Sequence, residues 1–106
     1  MGIDDSLVQE IVRRLLSVAS PDRIILFGSA AQGAMTRDSD IDLLLVSRST
    51  PNTIDELARL RRSLRGLGFP FDLFVIRTDK FEESKDVFGG IAYPAHKYGR
   101  VIYEAA

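Results

Sequence analysis

The stretch "FGSAAQGAMTRDSDIDLLLV", residues 27–46, places two aspartates at the opening of an apolar run. Alternate residues of a strand project to the same side, so Asp40 and Asp42 share one face while Ile41 and Leu43 take the other. Two carboxylates so placed repel each other. They are either solvated at the strand's start or hold a cation between them, and hard oxygen ligands suit Mg²⁺. A third aspartate, Asp72, lies in "FPFDLFVI" with apolar residues on both sides. A charge there is costly unless it is paired, bound to a metal or open to water at the strand's mouth. If the two strands are neighbours, Asp40, Asp42 and Asp72 meet at one sheet edge and can hold one or two Mg²⁺ ions.

Gly28 and Ser29 complete a chemical pattern. Glycine at a strand's end lets backbone approach a ligand closely. The Ser29 hydroxyl and the N–H groups of a short helix after it form an anion site. An anion site beside a Mg²⁺ site is what a nucleoside triphosphate requires. Two other ion-binding motifs fail. Asp38-x-Asp40-x-Asp42 starts like an EF-hand loop, but Leu43 stands where that loop needs Gly and Ser49 where it needs Glu. No Gly-Lys-Ser/Thr follows a glycine-rich run, which excludes a Walker-type loop.

The elements that must position these groups are legible from periodicity. Leu7, Val8, Ile11, Val12, Leu15 and Leu16 form one apolar stripe and predict a helix over 6–18, opened by a Ser6–Gln9 capping box. "RIILF" (23–27), "DIDLLLV" (40–46) and "FDLFVI" (71–76) read as buried strands, with room for about one helical turn between Ser29 and Gly33. Ile54, Leu57, Leu60, Leu64 and Leu67 predict a helix over 53–67 that also carries Arg59, Arg61, Arg62 and Arg65. That cluster is either a solvated face or a docking surface. One or two short helices follow over 79–88 and another over 91–98, then a last strand, "RVIYE" (100–104). The order α-β-(short α)-β-α-β-α-β predicts an α/β domain with a small sheet.

Composition narrows the classes. The 106 residues, 45% hydrophobic, read as a single domain over 1–106 with one core. Fourteen basic against fifteen acidic residues give a net charge of −1, without the basic excess of a general nucleic-acid binder. Cysteine is absent, which removes disulfides and thiolate metal sites. The acidic start "MGIDDSLVQE" does not resemble a signal peptide, and no apolar run is long enough to span a bilayer. The expectation is a soluble, cytoplasmic protein.

Gly28-Ser29, ten intervening residues and then Asp40-Ile41-Asp42 resemble the signature of the polymerase-β-type nucleotidyltransferase superfamily. The closer likeness is to its minimal nucleotidyltransferases, small prokaryotic proteins paired with a HEPN-domain partner as antitoxin and toxin. It extends over "ILFGSAAQG", "DSDIDLLLV", "FDLFVI" and "YGRVIYE". The resemblance implies a polymerase-β-like fold with a small mixed sheet flanked by helices. It also implies triphosphate binding at Gly28 and Ser29, metal ligation by Asp40 and Asp42, and Asp72 as third ligand and base. Many members carry Gly-Ser-Arg-Ala-Arg-Gly, where this chain has Ala30 and Gln32. Gln32 can hydrogen-bond a phosphate without neutralising it, and Arg37 can compensate from the loop.

The function so implied is Mg²⁺-dependent transfer of a nucleoside monophosphate, AMP from ATP, to a hydroxyl on a partner protein. Such AMPylation would silence a HEPN toxin at a tyrosine. Nucleic acid is disfavoured as acceptor, because polymerases and RNA-tailing relatives use extra domains to grip a primer. Two alternatives stand beside it: a non-catalytic module that neutralises its partner by contact, and transfer to a small molecule. His96 reads as structural, with no Arg four to six residues before it to make a HEPN ribonuclease motif.

Overall fold

In the computed structural model, residues 4–33, 39–49 and 54–106 are described. Helix α1 (Asp5–Leu16) leads into strands β1 (Arg23–Phe27) and β2 (Ile41–Ser47). Helix α2 (Ile54–Ser63), strand β3 (Phe71–Arg77), helices α3 (Thr78–Ser84) and α4 (Ala92–Tyr98) and strand β4 (Arg100–Glu104) complete the chain. The N-terminal cap differs from expectation. Asp4, not Ser6, accepts the Leu7 N–H at 2.8 Å, so the cap lies two residues earlier than the capping box predicts. An aspartate there also meets the positive end of the helix dipole.

The four strands form one mixed sheet in the order β3-β2-β1-β4. β1 runs antiparallel to both β2 and β4, whereas β2 and β3 are parallel. The parallel pair follows from the connection between them, because α2 carries the chain back to the starting edge. Period-two alternation along β2 divides the core. Ile41, Leu43 and Leu45 face α1, α2 and the turn that follows α2, where Ile11, Leu15, Leu60 and Leu64 are buried. Leu44 and Val46 face the other way, toward Phe81 of α3 and Ala92 and Ala95 of α4.

Small residues and one large ring set the second layer. Gly99 lets α4 approach β1 closely: a methyl group at residue 99 would lie 2.2 Å from the Ala95 carbonyl oxygen and 2.8 Å from Ile25 Cγ2. Phe81 is fully buried, with its ring edge-on to His96 at 6.1 Å and the Arg23 guanidinium 5.9 Å from its centroid. On the first layer, Arg14 ties α1 to the end of α2 by donating to the carbonyls of Ser63 and Arg65. Glu10 pairs with Arg13 and Arg14, and the hydrogen bonds from both lower its pKa to about 2.

Among the described residues, no helix is long and apolar enough to cross a membrane. Phe81 is the only large side chain that α3 and α4 bury completely. Truncation of Phe81 to alanine is therefore expected to cost about 3–5 kcal/mol, read as a shift of the urea unfolding midpoint at constant m-value.

Candidate active site

The register of the sheet assembles the site. Phe27 pairs with Asp42 across the antiparallel β1–β2 ladder, and Asp42 pairs with Asp72 across the parallel β2–β3 ladder. Directly paired residues share a face, so Phe27, Asp42 and Asp72 form one row on the side of the sheet that bears α3 and α4. Asp40 stands immediately before β2, and its carboxylate lies within hydrogen-bonding reach of Asp72. The structure thus brings together the three aspartates that the sequence singled out.

Their electrostatics reflect crowding of like charge. The hydrogen bond with Asp72, then the repulsion from its charge, raises the pKa of the exposed Asp40. Asp42 is half-buried, and its pKa is raised first by loss of water and then by the charges of Asp72 and Asp40. Proton affinity gained this way measures a demand for positive charge at the row. Three anionic oxygen donors satisfy the chemistry of a divalent ion such as Mg²⁺. Among the described residues, however, no three acidic or histidine side chains are already grouped as a metal-ligand set. Cation binding would have to turn these carboxylates from each other toward a shared point.

Gly28 is built into the same row. It has φ of +72°, in the left-handed region, and a methyl group there would fall 2.2 Å from Asp42 Oδ2. The missing side chain is the space that Asp42 occupies. Sequence reasoning assigned this glycine to ligand approach alone, whereas its first neighbour is the carboxylate.

The segment after Gly28 departs from expectation. Residues 28–33 form successive turns that end at Gly33, with φ of +71°, and not a helical turn. Ser29 is half-buried there and Gln32 is exposed. The anion-binding argument then rests on the hydroxyl and the turn's N–H groups, without a helix end behind them. Ala30 is only 4% exposed and packs into the core beneath α1 and α2. Its position in this chain is a core position, which suits a small apolar residue. Arg37 lies outside the described residues.

An aromatic pair beside the acidic row went unnoticed in the sequence. Phe27 and Phe74 approach with ring centroids 5.9 Å apart and planes tilted by 52°. The signal was available, because Phe74 lies two residues from Asp72 and alternation puts both on one face. A cavity of 460 Å³ lies elsewhere, at the opposite end of the sheet, lined by residues including Pro21, Ser47, Arg59 and Leu60. The carboxylates themselves stand on an open rim.

This α/β architecture, with a small mixed sheet flanked by helices, is that of the polymerase-β-like nucleotidyltransferases. The chain belongs to the nucleotidyltransferase domain family, whose model matches residues 6–93. A search of curated proteins gives no significant match. Among solved structures, a toxin–antitoxin with AMP-PNP matches with a TM-score of 0.71 at 21% identity, over 92% of this chain and 73% of that one. A mutant of the toxin–antitoxin MntA-HpeT, in which two aspartates separated by one residue become glutamates, matches with a TM-score of 0.69 at 19% identity and the same coverage. A putative nucleotidyltransferase from Sulfolobus solfataricus matches with a TM-score of 0.53 at 20% identity, over 98% of this chain and 92% of that one. At these identities the likeness speaks for the fold, and it supports the minimal-nucleotidyltransferase resemblance drawn from the Gly-Ser and Asp-x-Asp motifs.

Two predictions follow from the geometry of the row. Because Asp42 holds its proton more tightly folded than unfolded, ionising it disfavours the fold. That penalty is absent below the ordinary carboxylate value of 3.8 and complete once pH passes the raised folded value. Asp42→Asn is expected to have a higher Tm than wild type near neutral pH in metal-free buffer, and to lose that advantage as the pH falls below 3.8. Gly28→Ala is expected to cost about 1–2 kcal/mol for the left-handed backbone alone, with a further loss from displacement of Asp42, measured by equilibrium unfolding.

Proposed function

We propose that this protein is an Mg²⁺-dependent nucleotidyltransferase that moves AMP from ATP to a hydroxyl of a partner protein. In this reading it is the antitoxin of a toxin–antitoxin pair, and the modified partner is a HEPN-type toxin. The observation that carries the chemistry is the parallel β2–β3 register, which sets Asp72 beside Asp42 with Asp40 in reach. ATP as donor is supported by the similar toxin–antitoxin structure with AMP-PNP, an ATP analogue. The aspartate pair replaced in the MntA-HpeT mutant has the same spacing as Asp40 and Asp42.

Asp40, Asp42 and Asp72 would hold the metal. Bound there, divalent ions would supply positive charge to offset that of the phosphates. The chain's own groups do the rest. The Ser29 hydroxyl and the N–H groups of the 28–33 turn would bind the β- and γ-phosphate oxygens and orient the triphosphate. The acceptor oxygen forms a bond to the α-phosphorus, the bond from that phosphorus to the bridging oxygen breaks, and pyrophosphate leaves. Asp72, exposed on the edge strand, receives the hydroxyl proton.

One observation favours a second reading, in which the chain neutralises its partner by contact alone. Ala30 is buried and Gln32 is uncharged, so the 28–33 turn presents no cation to a triphosphate. Labelling with ATP tagged at the α-phosphate separates the two. In a lysate with Mg²⁺, the wild type is expected to label one protein, with γ-labelled ATP leaving it unmarked. Asp40→Asn with Asp42→Asn should reduce labelling about 100-fold or more, and Mg²⁺ should raise the Tm of the wild type but not of this variant. A variant that still neutralises the partner without any labelling would establish the contact reading.

A further inference from the structure

The layer formed by α3 and α4 covers the sheet unevenly. On this face the rows run across β1, β2 and β3, and Phe74 is the register partner of Leu44. Leu44 is fully buried, yet Phe74 is 41% exposed on the edge strand. Among the described residues, Phe27 is the aromatic side chain that closes on its ring, and Phe27 itself heads the acidic row. A large apolar ring is thus left open two residues, or about 6.6 Å along the strand, from the carboxylate proposed to take the acceptor's proton.

We infer that Phe74, backed by Phe27, is a positioning residue for the acceptor: it seats an aromatic or apolar part of the partner so that a hydroxyl reaches Asp72. This inference rests on the transferase reading above. The order of strands supplies the argument. Gly28 and Ser29, assigned to the triphosphate, stand at the end of β1, and Asp72 is two strands away on β3. Strand spacing separates those two sites by about 9.6 Å. An in-line displacement needs the attacking oxygen opposite the leaving pyrophosphate, so the acceptor approaches from the β3 side. The apolar group that meets it there is Phe74.

Geometry also limits the kind of contact. A side chain that lies on the Phe74 ring and still presents its hydroxyl at Asp72 must span most of the 6.6 Å or so between those positions. A phenol does this with its ring stacked and its oxygen pointing along the strand; a serine or threonine hydroxyl is too short to make both contacts. Offset or tilted ring pairs gain stability beyond simple burial, and Phe74, already tilted against Phe27, is still 41% exposed and open to a third partner. The competing flat occupant is the base of the nucleotide.

The test uses the whole chain, labelled with ¹⁵N, and two probes titrated separately: N-acetyl-tyrosinamide, and ATP with Mg²⁺. In wild type, the tyrosinamide is expected to shift the amides of residues 72–75, and Phe74→Ala should weaken that binding about fivefold or more. ATP should shift the amides of residues 28–33 with the same affinity, within about twofold, in wild type and variant. Equal tyrosinamide binding in both proteins, or none at residues 72–75 in wild type, overturns the inference. So does ATP binding that weakens in Phe74→Ala, which would make the ring a platform for the base. ATP that leaves residues 28–33 unmoved in wild type refutes the transferase reading instead, and the two failures are told apart by which probe is silent. Should Phe74→Ala lose its dispersed spectrum, Phe74→Leu decides: it keeps apolar volume but no ring face, and is expected to weaken the tyrosinamide alone.

Discussion

Everything at the acidic edge depends on one parallel pairing. Had β3 run antiparallel to β2, or slipped by one residue, Asp72 would have been carried to the far end of the sheet or onto its opposite face. Seven in-register pairs from Ile41↔Phe71 to Ser47↔Arg77 prevent both. The register is enforced by burial on the α1–α2 side, where Leu43 and Leu73 are partners in the core. An apolar preference on one face therefore fixes the position of charges on the other. The cost is a raised pKa at two of the aspartates, at Asp40 through its hydrogen bond with Asp72 and then that charge, and at Asp42 through lost water and then the neighbouring charges.

Much of this was readable from the chain because alternation and helical periodicity survive tertiary context in a small core. The strands Arg23–Phe27 and Arg100–Glu104 begin and end where the sequence pattern places them. The acidic site was legible for the same reason: Asp40, Asp42 and Asp72 interrupt runs whose other residues are apolar. Strand direction was not legible, since hydrophobic spacing is blind to it. Nor was the end of the second helix, expected to run to Leu67 but complete at Ser63. Turns through Gly66 and Gly68, both at positive φ, replace its last turn, and Leu64 and Leu67 reach the core without a helix to carry them.

The Gly-Ser segment shows a different limit of sequence reasoning. The segment's length predicts a helical turn, and the family resemblance an arginine-poor variant of its Gly-Ser motif. In the structure the two glycines take positive φ, and Ala30 turns inward to fill the core. A motif position that looks like a lost ligand is here an inward-facing packing site. Gly28 makes the complementary point, because its small size serves the neighbouring carboxylate before it serves any ligand.

The two faces of the sheet are backed by unequal amounts of buried chain. Among the described residues, the α1–α2 side joins eleven buried residues, from Ile11 through Leu73, while the α3–α4 side joins six and relies on two seven-residue helices. Neither short helix has a side-chain cap at its N-terminus. Local opening draws on whichever unit has the least packing to lose, so of the described helices α3 and α4 are the ones expected to open first. The acidic row lies on that thinner side, over a rigid sheet but beside a yielding roof. Opening of that cover would leave the α1–α2 half intact, and with it the pairing that keeps Asp42 and Asp72 in register.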